Sequence, residues 1–167
     1  MIQRGFTVVE LIITITVMGI LLLLTVVNLT SSQLSARDSE RVADIDTIKS
    51  LLENYYTAGS PITGGVGSYP SMSITDPNTL KANLPDADLK SFTAPGMAGP
   101  SATFTAANNT VQNVSAIDPQ PTINQYIYQP LDSVGELCVG QPDCRKFNLY
   151  YRLEKDNTVY MVTSKNQ

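Results

Sequence analysis

The 167-residue chain contains no histidine and no tryptophan, and all ten of its prolines lie at or after Pro61. Without histidine it cannot use a Ser-His or Cys-His nucleophile, a histidine base, or a zinc or haem bound through histidine. These absences exclude most common hydrolase mechanisms, and we expect neither an enzyme nor a bound cofactor. Because proline interrupts helices, its absence from the first 60 residues permits one long helix there.

Charge is missing from one region, since no Asp, Glu, Lys or Arg occurs between Leu11 and Ala36. An apolar helix of about 20 residues can cross the hydrocarbon core of a bilayer, and flanking positive residues favour the cytoplasmic side. We therefore expect a single-pass anchor with Arg4 in the cytoplasm and the rest of the chain outside. The net charge of −4 argues against a broad phosphate-binding face, so no specific nucleic acid partner is predicted.

Glu10 stands close to the start of this apolar tract. A carboxylate near one end of a membrane helix is costly unless it is paired or protonated, which makes Glu10 a candidate functional residue. The alternative is that its side chain lies at the interface and reaches the lipid headgroups. A cleaved secretory signal peptide is not expected, because Glu10 interrupts the apolar run. The uncharged segment after Glu10 is also longer than the apolar core of a usual signal peptide.

The segment Arg4-Gly5-Phe6-Thr7-Val8-Val9-Glu10-Leu11 resembles the class III signal of type IV pilins and of the pseudopilins of type II secretion and competence systems. The resemblance implies that a prepilin peptidase cuts between Gly5 and Phe6 and methylates the new amine of Phe6. It also implies that Glu10 meets the Phe6 amine of a neighbouring copy during assembly. In an apolar filament core an unpaired charge is costly and a matched pair is tolerable.

Apolar residues continue at helical spacing beyond the anchor and predict one helix from about Thr7 to Thr57, ended by Ala58-Gly59-Ser60-Pro61. One face of its second half is expected to pack against a partner and the other to be solvated. The resemblance to pilins extends through this half to Gly67-Ser68-Tyr69-Pro70. The charged residues expected on the solvated face are Arg37, Asp38, Glu40, Arg41, Asp44, Asp46, Lys49 and Glu53.

The rest of the chain is predicted to form a loop-rich head. A short helix is expected at about Asn78 to Asn83, behind Asp76-Pro77. Strands are predicted at 110–117, 125–129, 146–154 and 158–163, where apolar and polar residues alternate or β-branched residues are frequent. We expect an α+β fold in which an antiparallel sheet packs on one face of the long helix.

Four segments follow from these patterns. We predict a cleaved leader at 1–5, a transmembrane and filament-core helix at 6–36, the amphipathic half of the same helix at 37–58, and a globular β head at 59–167.

Cys138 and Cys144 are the two cysteines of the chain, and Gly140 and Pro142 allow a tight loop between them. A disulfide is therefore expected, which implies an oxidising location outside the cytoplasm. Two thiols are too few for the usual metal sites, and a cysteine nucleophile would lack a histidine base.

Three weaker patterns occur in the head. The acids Asp132, Glu136 and Asp143 could bind Ca²⁺, although their spacing matches no EF-hand and solvated loop acids are the favoured interpretation. Asn108-Asn109-Thr110 and Asn113-Val114-Ser115 match the glycosylation acceptor pattern. The basic residues that could form a strip, or be ordinary surface charges, are Lys146, Arg152, Lys155 and Lys165.

The sequence favours a structural subunit of a bacterial type IV pilus that is processed after Gly5 and polymerises through its N-terminal helix. The implied partners are further copies of the chain, the prepilin peptidase, and the pilus assembly platform with its ATPase. The precursor would lie in the cytoplasmic membrane and the filament at the cell surface, where adhesion, motility or DNA uptake are the open roles. Exposed Pro/Gly/Thr/Asn-rich loops between 60 and 113 favour a pilin over a pseudopilin. The other class is a monomeric, membrane-anchored extracytoplasmic binding domain.

Overall fold

The computed structural model of the chain describes residues 7–60, 62, 65–99, 103–139 and 144–166. Contacts divide the chain into two compact units, before and after the junction of Ala36 and Arg37, and one long helix contributes to both. The elements are α1 (Val8–Ala58), α2 (Pro77–Asn83), β1 (Phe104–Ala106), β2 (Tyr126–Leu131), β3 (Lys146–Arg152) and β4 (Val159–Thr163), with 3₁₀ turns at Met72–Thr75 and Leu89–Phe92.

The first unit contains the apolar half of α1. Every side chain described between Thr7 and Thr25 is exposed. The helix is long and apolar enough to cross a membrane by length and composition. Together with the N-terminal motif, the uncovered apolar surface fits a membrane-anchored precursor.

The amphipathic half of α1 supplies one wall of the core in the second unit. Its buried residues Ile45, Ile48, Leu52 and Tyr55 pack in one cluster with residues of the sheet. At the helix C-terminus Gly59 adopts a φ of 80°, and its N–H donates to the carbonyl oxygen of Tyr55 at 2.8 Å. A glycine in this left-handed conformation is a common helix stop, so the predicted apolar face and the predicted end of α1 are both confirmed.

The expectation that all charged residues of this half would be solvated is wrong. Asp38 is 8% exposed and Arg41 only 1% exposed. The Arg41 guanidinium donates to Asp38 Oδ1 at 2.9 Å and to the carbonyl oxygen of Ile123 at 3.0 Å. Because these partners satisfy the charge, the side chains tolerate burial that lone charges would not.

The four-stranded sheet has the order β1-β2-β3-β4. β2 pairs with β3 and β3 with β4 in antiparallel orientation, whereas β1 runs parallel to β2. The α+β class is therefore confirmed, and the three strands predicted nearest the C-terminus are present within a few residues of their expected ends. The expectation of a wholly antiparallel sheet is wrong for β1, and the sheet is mixed.

The strand predicted at 110–117 is absent from this segment, all of which the structure describes. The side chain of Asn113 accepts hydrogen bonds from the N–H groups of Ser115 at 3.0 Å and Ala116 at 2.9 Å and forms a turn instead. A local bond of this kind competes with strand pairing and overrides a β-like pattern. The short helix predicted behind Asp76-Pro77 is confirmed as α2, whose first N–H groups are capped by the Asp76 carboxylate.

Candidate functional site

The N-terminal turn of α1 contains a reciprocal pair of hydrogen-bonded side chains. Oε2 of Glu10 accepts from the N–H of Thr7 at 2.9 Å and from the Thr7 hydroxyl at 2.8 Å. The N–H of Glu10 in turn donates to Thr7 Oγ1 at 3.3 Å. This capping box satisfies N–H groups at the helix start that have no partner within the helix. The sequence identified Glu10 as a candidate functional residue. It did not lead us to Thr7, although Thr-x-x-Glu is the sequence signal of a capping box.

This arrangement engages only one oxygen of the Glu10 carboxylate. Among the described residues, Oε1 of Glu10 has no hydrogen-bond partner. The carboxylate therefore holds the helix start and still presents an acceptor on the exposed surface of the first unit. Gly5 and Phe6, the predicted cleavage and methylation residues, lie outside the residues that the structure describes.

The Gly67-Ser68-Tyr69-Pro70 element follows α1 and packs against the core of the head. The N–H of Gly67, at a φ of 85°, donates to the Tyr56 carbonyl oxygen at 2.8 Å. The Tyr69 ring is fully buried edge-on to Phe147, with ring centroids 4.8 Å apart. The Tyr69 hydroxyl donates to Glu53 Oε2 at 2.9 Å. These contacts hold the segment that follows α1 against the end of α1 and against β3.

Cys138 and Cys144 form a disulfide with their Cα atoms 5.6 Å apart. The carbonyl oxygen of Cys144 accepts from the Tyr69 N–H at 2.7 Å, and that of Cys138 accepts from the Met72 N–H at 3.1 Å. The bridge therefore closes a short loop and also supports the backbone of the 69–72 segment. Its presence is compatible with the predicted location outside the cytoplasm.

Asp132 lies in a turn, and its carboxylate accepts hydrogen bonds from backbone N–H groups of that turn. Oδ1 accepts from the N–H groups of Val134 and Glu136, both at 2.9 Å. These bonds, that of Glu136 first, lower the pKa of the Asp132 carboxyl. Glu136 is exposed, and Asp143 lies outside the described residues. Among the residues that are described, no group of three His, Cys, Asp or Glu side chains could hold a metal ion.

The remaining weak patterns have local structural partners. Asn108 Nδ2 donates to Asp118 Oδ2 at 3.3 Å, and Asn113 forms the turn described above, so glycosylation at either asparagine stays a prediction. Arg152 donates to the carbonyl oxygens of Pro121 at 2.7 Å and Asn157 at 2.8 Å. Since these bonds occupy its guanidinium, Arg152 does not act as part of a free basic strip.

The fold and N-terminal site define the class of protein: an α+β chain with an apolar helix behind a class III signal. Residues 1–26 match the family model of the prokaryotic N-terminal methylation motif. No curated protein and no solved structure gives a significant match. The motif match supports a precursor of the type IV pilin and pseudopilin type, which is a family of structural subunits. The motif also implies processing by a prepilin peptidase and assembly into a filament.

Proposed function

We propose that the chain is a structural subunit of a bacterial type IV pilus. The precursor is cut after Gly5, the new Phe6 amine is methylated, and α1 leaves the membrane to become part of a filament core. The head from about residue 59 onward is then displayed at the cell surface for adhesion, motility or DNA uptake. The observation that carries this proposal is the match of residues 1–26 to the methylation motif. The position of Glu10 in the first turn of an uncovered apolar helix supports it.

The role proposed for Glu10 follows from its hydrogen bonds. Cleavage after Gly5 removes neither Thr7 nor Glu10, so the capping box survives processing. Oε2 remains engaged by Thr7, and Oε1 accepts from the Phe6 amine of a neighbouring copy. Because a charge in an apolar filament core is costly unless paired, this contact selects one longitudinal register between subunits.

A pilus subunit is favoured over a pseudopilin by the surface of the head. The 107–118 segment forms a loop on the sheet and not a further strand, with Gln112 and Val114 exposed and Asn109 partly buried. Asp132 is engaged by two N–H groups, which supports a turn-capping role over a part in a calcium site. The pseudopilin of a secretion or competence system is the second candidate.

The proposal is tested first by the mass of the mature chain purified from membranes. We expect a chain that begins at Phe6 and carries one added methyl group. A Gly5→Val variant is the matched control, because the branched side chain crowds the scissile bond, and it should retain Met1. An intact Met1 in the unsubstituted protein would support the monomeric, membrane-anchored domain instead.

A second experiment separates pilus from pseudopilin. Cells that lack the chain are compared with the parent for surface filaments by electron microscopy and for secreted proteins. Loss of filaments with normal secretion supports the pilus subunit. Normal filaments with lost secretion or DNA uptake would assign the chain to the pseudopilins.

A further inference from the structure

A polar cleft of about 210 Å³ lies on the face of the sheet turned away from α1. Side chains alternate between the two faces of a strand, so Lys146 and Asn148 point away from the core that Phe147 joins. On the next strand, Thr163 lies opposite Asn148 and lines the same cleft. The remaining lining residues are Gln112 of the loop between β1 and β2, Phe147, Met161 of β4 and Ser164.

The orientation of the Asn148 amide is set by a hydrogen-bond network through a buried glutamine. Gln129 is fully buried, and its Nε2 donates to the carbonyl oxygens of Asn109 at 2.8 Å and Val111 at 3.2 Å. Its Oε1 must therefore accept, and it does so from Asn148 Nδ2 at 2.9 Å and from the Tyr150 hydroxyl at 2.9 Å. This bond from one N–H of Asn148 Nδ2 fixes the orientation of the amide, and Oδ1 is the acceptor that Asn148 retains.

Asn148 Oδ1 makes no hydrogen bond within the described part of the chain, and Asn148 lines the cleft. Oδ1 is not among the buried unpartnered atoms of the described residues, so a molecule in the cleft can reach it. This oxygen is a pure acceptor, so its partner in the cleft has to be a donor such as a hydroxyl.

Three further polar groups of the cleft are available. The Lys146 ammonium, the Thr163 hydroxyl and the Gln112 amide have no hydrogen bond or ion pair among the residues described. Among the described residues, no acidic side chain lines the cleft. In the described part of the lining the lysine therefore carries a positive charge without a counter-ion, which favours an anionic group.

We propose that this cleft binds a small hydroxylated carboxylate, of the class of an acidic monosaccharide unit. The ligand carboxylate accepts from Lys146, and a ligand hydroxyl donates to Asn148 Oδ1. Thr163 and Gln112 bond further hydroxyls, while Met161 contacts the C–H groups of the ring. The volume suits one such unit, since sites for larger, drug-sized ligands measure about 300–1,000 Å³. The proposal goes beyond the pilus role and does not depend on filament formation.

The test uses the full chain purified in detergent micelles and isothermal titration calorimetry. Methyl β-D-glucuronide is compared with methyl β-D-glucoside, which lacks the carboxylate, and with acetate, which lacks the hydroxyls. We expect saturable binding of the glucuronide and about tenfold weaker binding of either other probe, because a charge-assisted hydrogen bond or a set of neutral ones is lost.

Two variants and a control locate the site. Lys146→Gln should weaken glucuronide binding about tenfold, and Thr163→Val, which removes one hydroxyl at constant shape, about threefold. Lys155→Gln removes an exposed lysine that does not line the cleft and should have no effect. Should Lys146→Gln lower the thermal unfolding midpoint, the nearly isosteric Thr163→Val variant decides.

Three outcomes would overturn the proposal. One is the absence of saturable glucuronide binding, and another is equal affinity in Thr163→Val, Lys146→Gln and the unsubstituted chain. The third is acetate binding as tight as that of the glucuronide, which would assign the cleft to a lone carboxylate such as an acidic side chain of a protein.

Discussion

The hydroxyl of Tyr126 on β2 donates a hydrogen bond of 2.9 Å to Oδ2 of Asp44 on α1. Burial nevertheless raises the pKa of Asp44 to about 6, because loss of solvent outweighs this bond. The charge of Glu40 raises the pKa further, while Lys90 and Arg41 act in the opposite direction. The folded state therefore favours the protonated form of Asp44 more than the unfolded chain does.

The first prediction concerns the pH dependence of this contact. A carboxyl whose pKa is raised on folding contributes most stability below its unfolded pKa, near 3.8, and loses that contribution as pH rises towards about 6. Asp44→Asn keeps an acceptor for Tyr126 without the charge. We expect the variant to gain about 1 kcal/mol over the parent between pH 4 and pH 7, a value reduced because the carboxyl is half exposed. Thermal unfolding of both proteins across this range measures it.

The variant itself is the control for other titrating groups, since they are common to both proteins and cancel in the difference. A difference in unfolding midpoint that stays constant from pH 4 to pH 7 would contradict the raised pKa of Asp44.

The second prediction compares two arginines one helical turn apart that share Glu154 as a partner. The side chain of Arg41 is 1% exposed and that of Arg37 is 38% exposed. Arg41→Ala leaves Asp38 and Glu154 without their buried cation and should lower the free energy of unfolding by about 3 kcal/mol. Arg37→Ala removes an ion pair in contact with water and should cost much less.

Urea denaturation followed by tyrosine fluorescence measures both variants. Equal losses for Arg37→Ala and Arg41→Ala would show that burial does not set the strength of these contacts.

The third prediction concerns the disulfide. Replacing Cys138 and Cys144 together by serine opens a short loop and should cost about 2 kcal/mol of stability. Because their carbonyl oxygens accept from the Tyr69 and Met72 N–H groups, hydrogen exchange should accelerate first at those two amides. Reductant should destabilise the parent but leave the double variant unchanged. Unaltered exchange at both amides would speak against the supporting role of the bridge.

The fourth prediction separates two roles of Glu10. Glu10→Ala removes both the charge and the capping acceptor, whereas Glu10→Gln retains an acceptor for Thr7. We expect both variants to be processed and inserted in the membrane, and both to fail to form filaments, since each lacks the charge that pairs with the Phe6 amine. Electron microscopy of surface filaments and the mass of the mature chain measure these outcomes. Normal filaments from Glu10→Gln would assign the effect to helix capping.

Local patterns in the sequence predicted several elements correctly. The alternation of Phe147, Leu149 and Tyr151 with polar residues marked β3, and the Asp76-Pro77 start marked α2. Helical spacing marked the buried residues of α1. These signals are local, because the periodicity of a strand or helix is contained in the sequence of that element alone.

Local sequence patterns did not predict contacts between segments that are far apart in the sequence. β1 has only three residues, and its parallel pairing with β2 joins segments about twenty positions apart. The cleft on the outer face likewise depends on Gln129, which fixes Asn148 through a network spread over three segments. No short window of sequence contains such partners.

The sequence by itself determined the N-terminal signal, the apolar helix and its end, because charge, periodicity and a glycine stop act within a few residues. Only the tertiary structure decided that Arg41 is buried and that the Asn148 amide is held in one orientation by Gln129. The reason is physical, since burial of a polar group depends on partners such as Ile123 and Gln129 that folding brings from far along the chain.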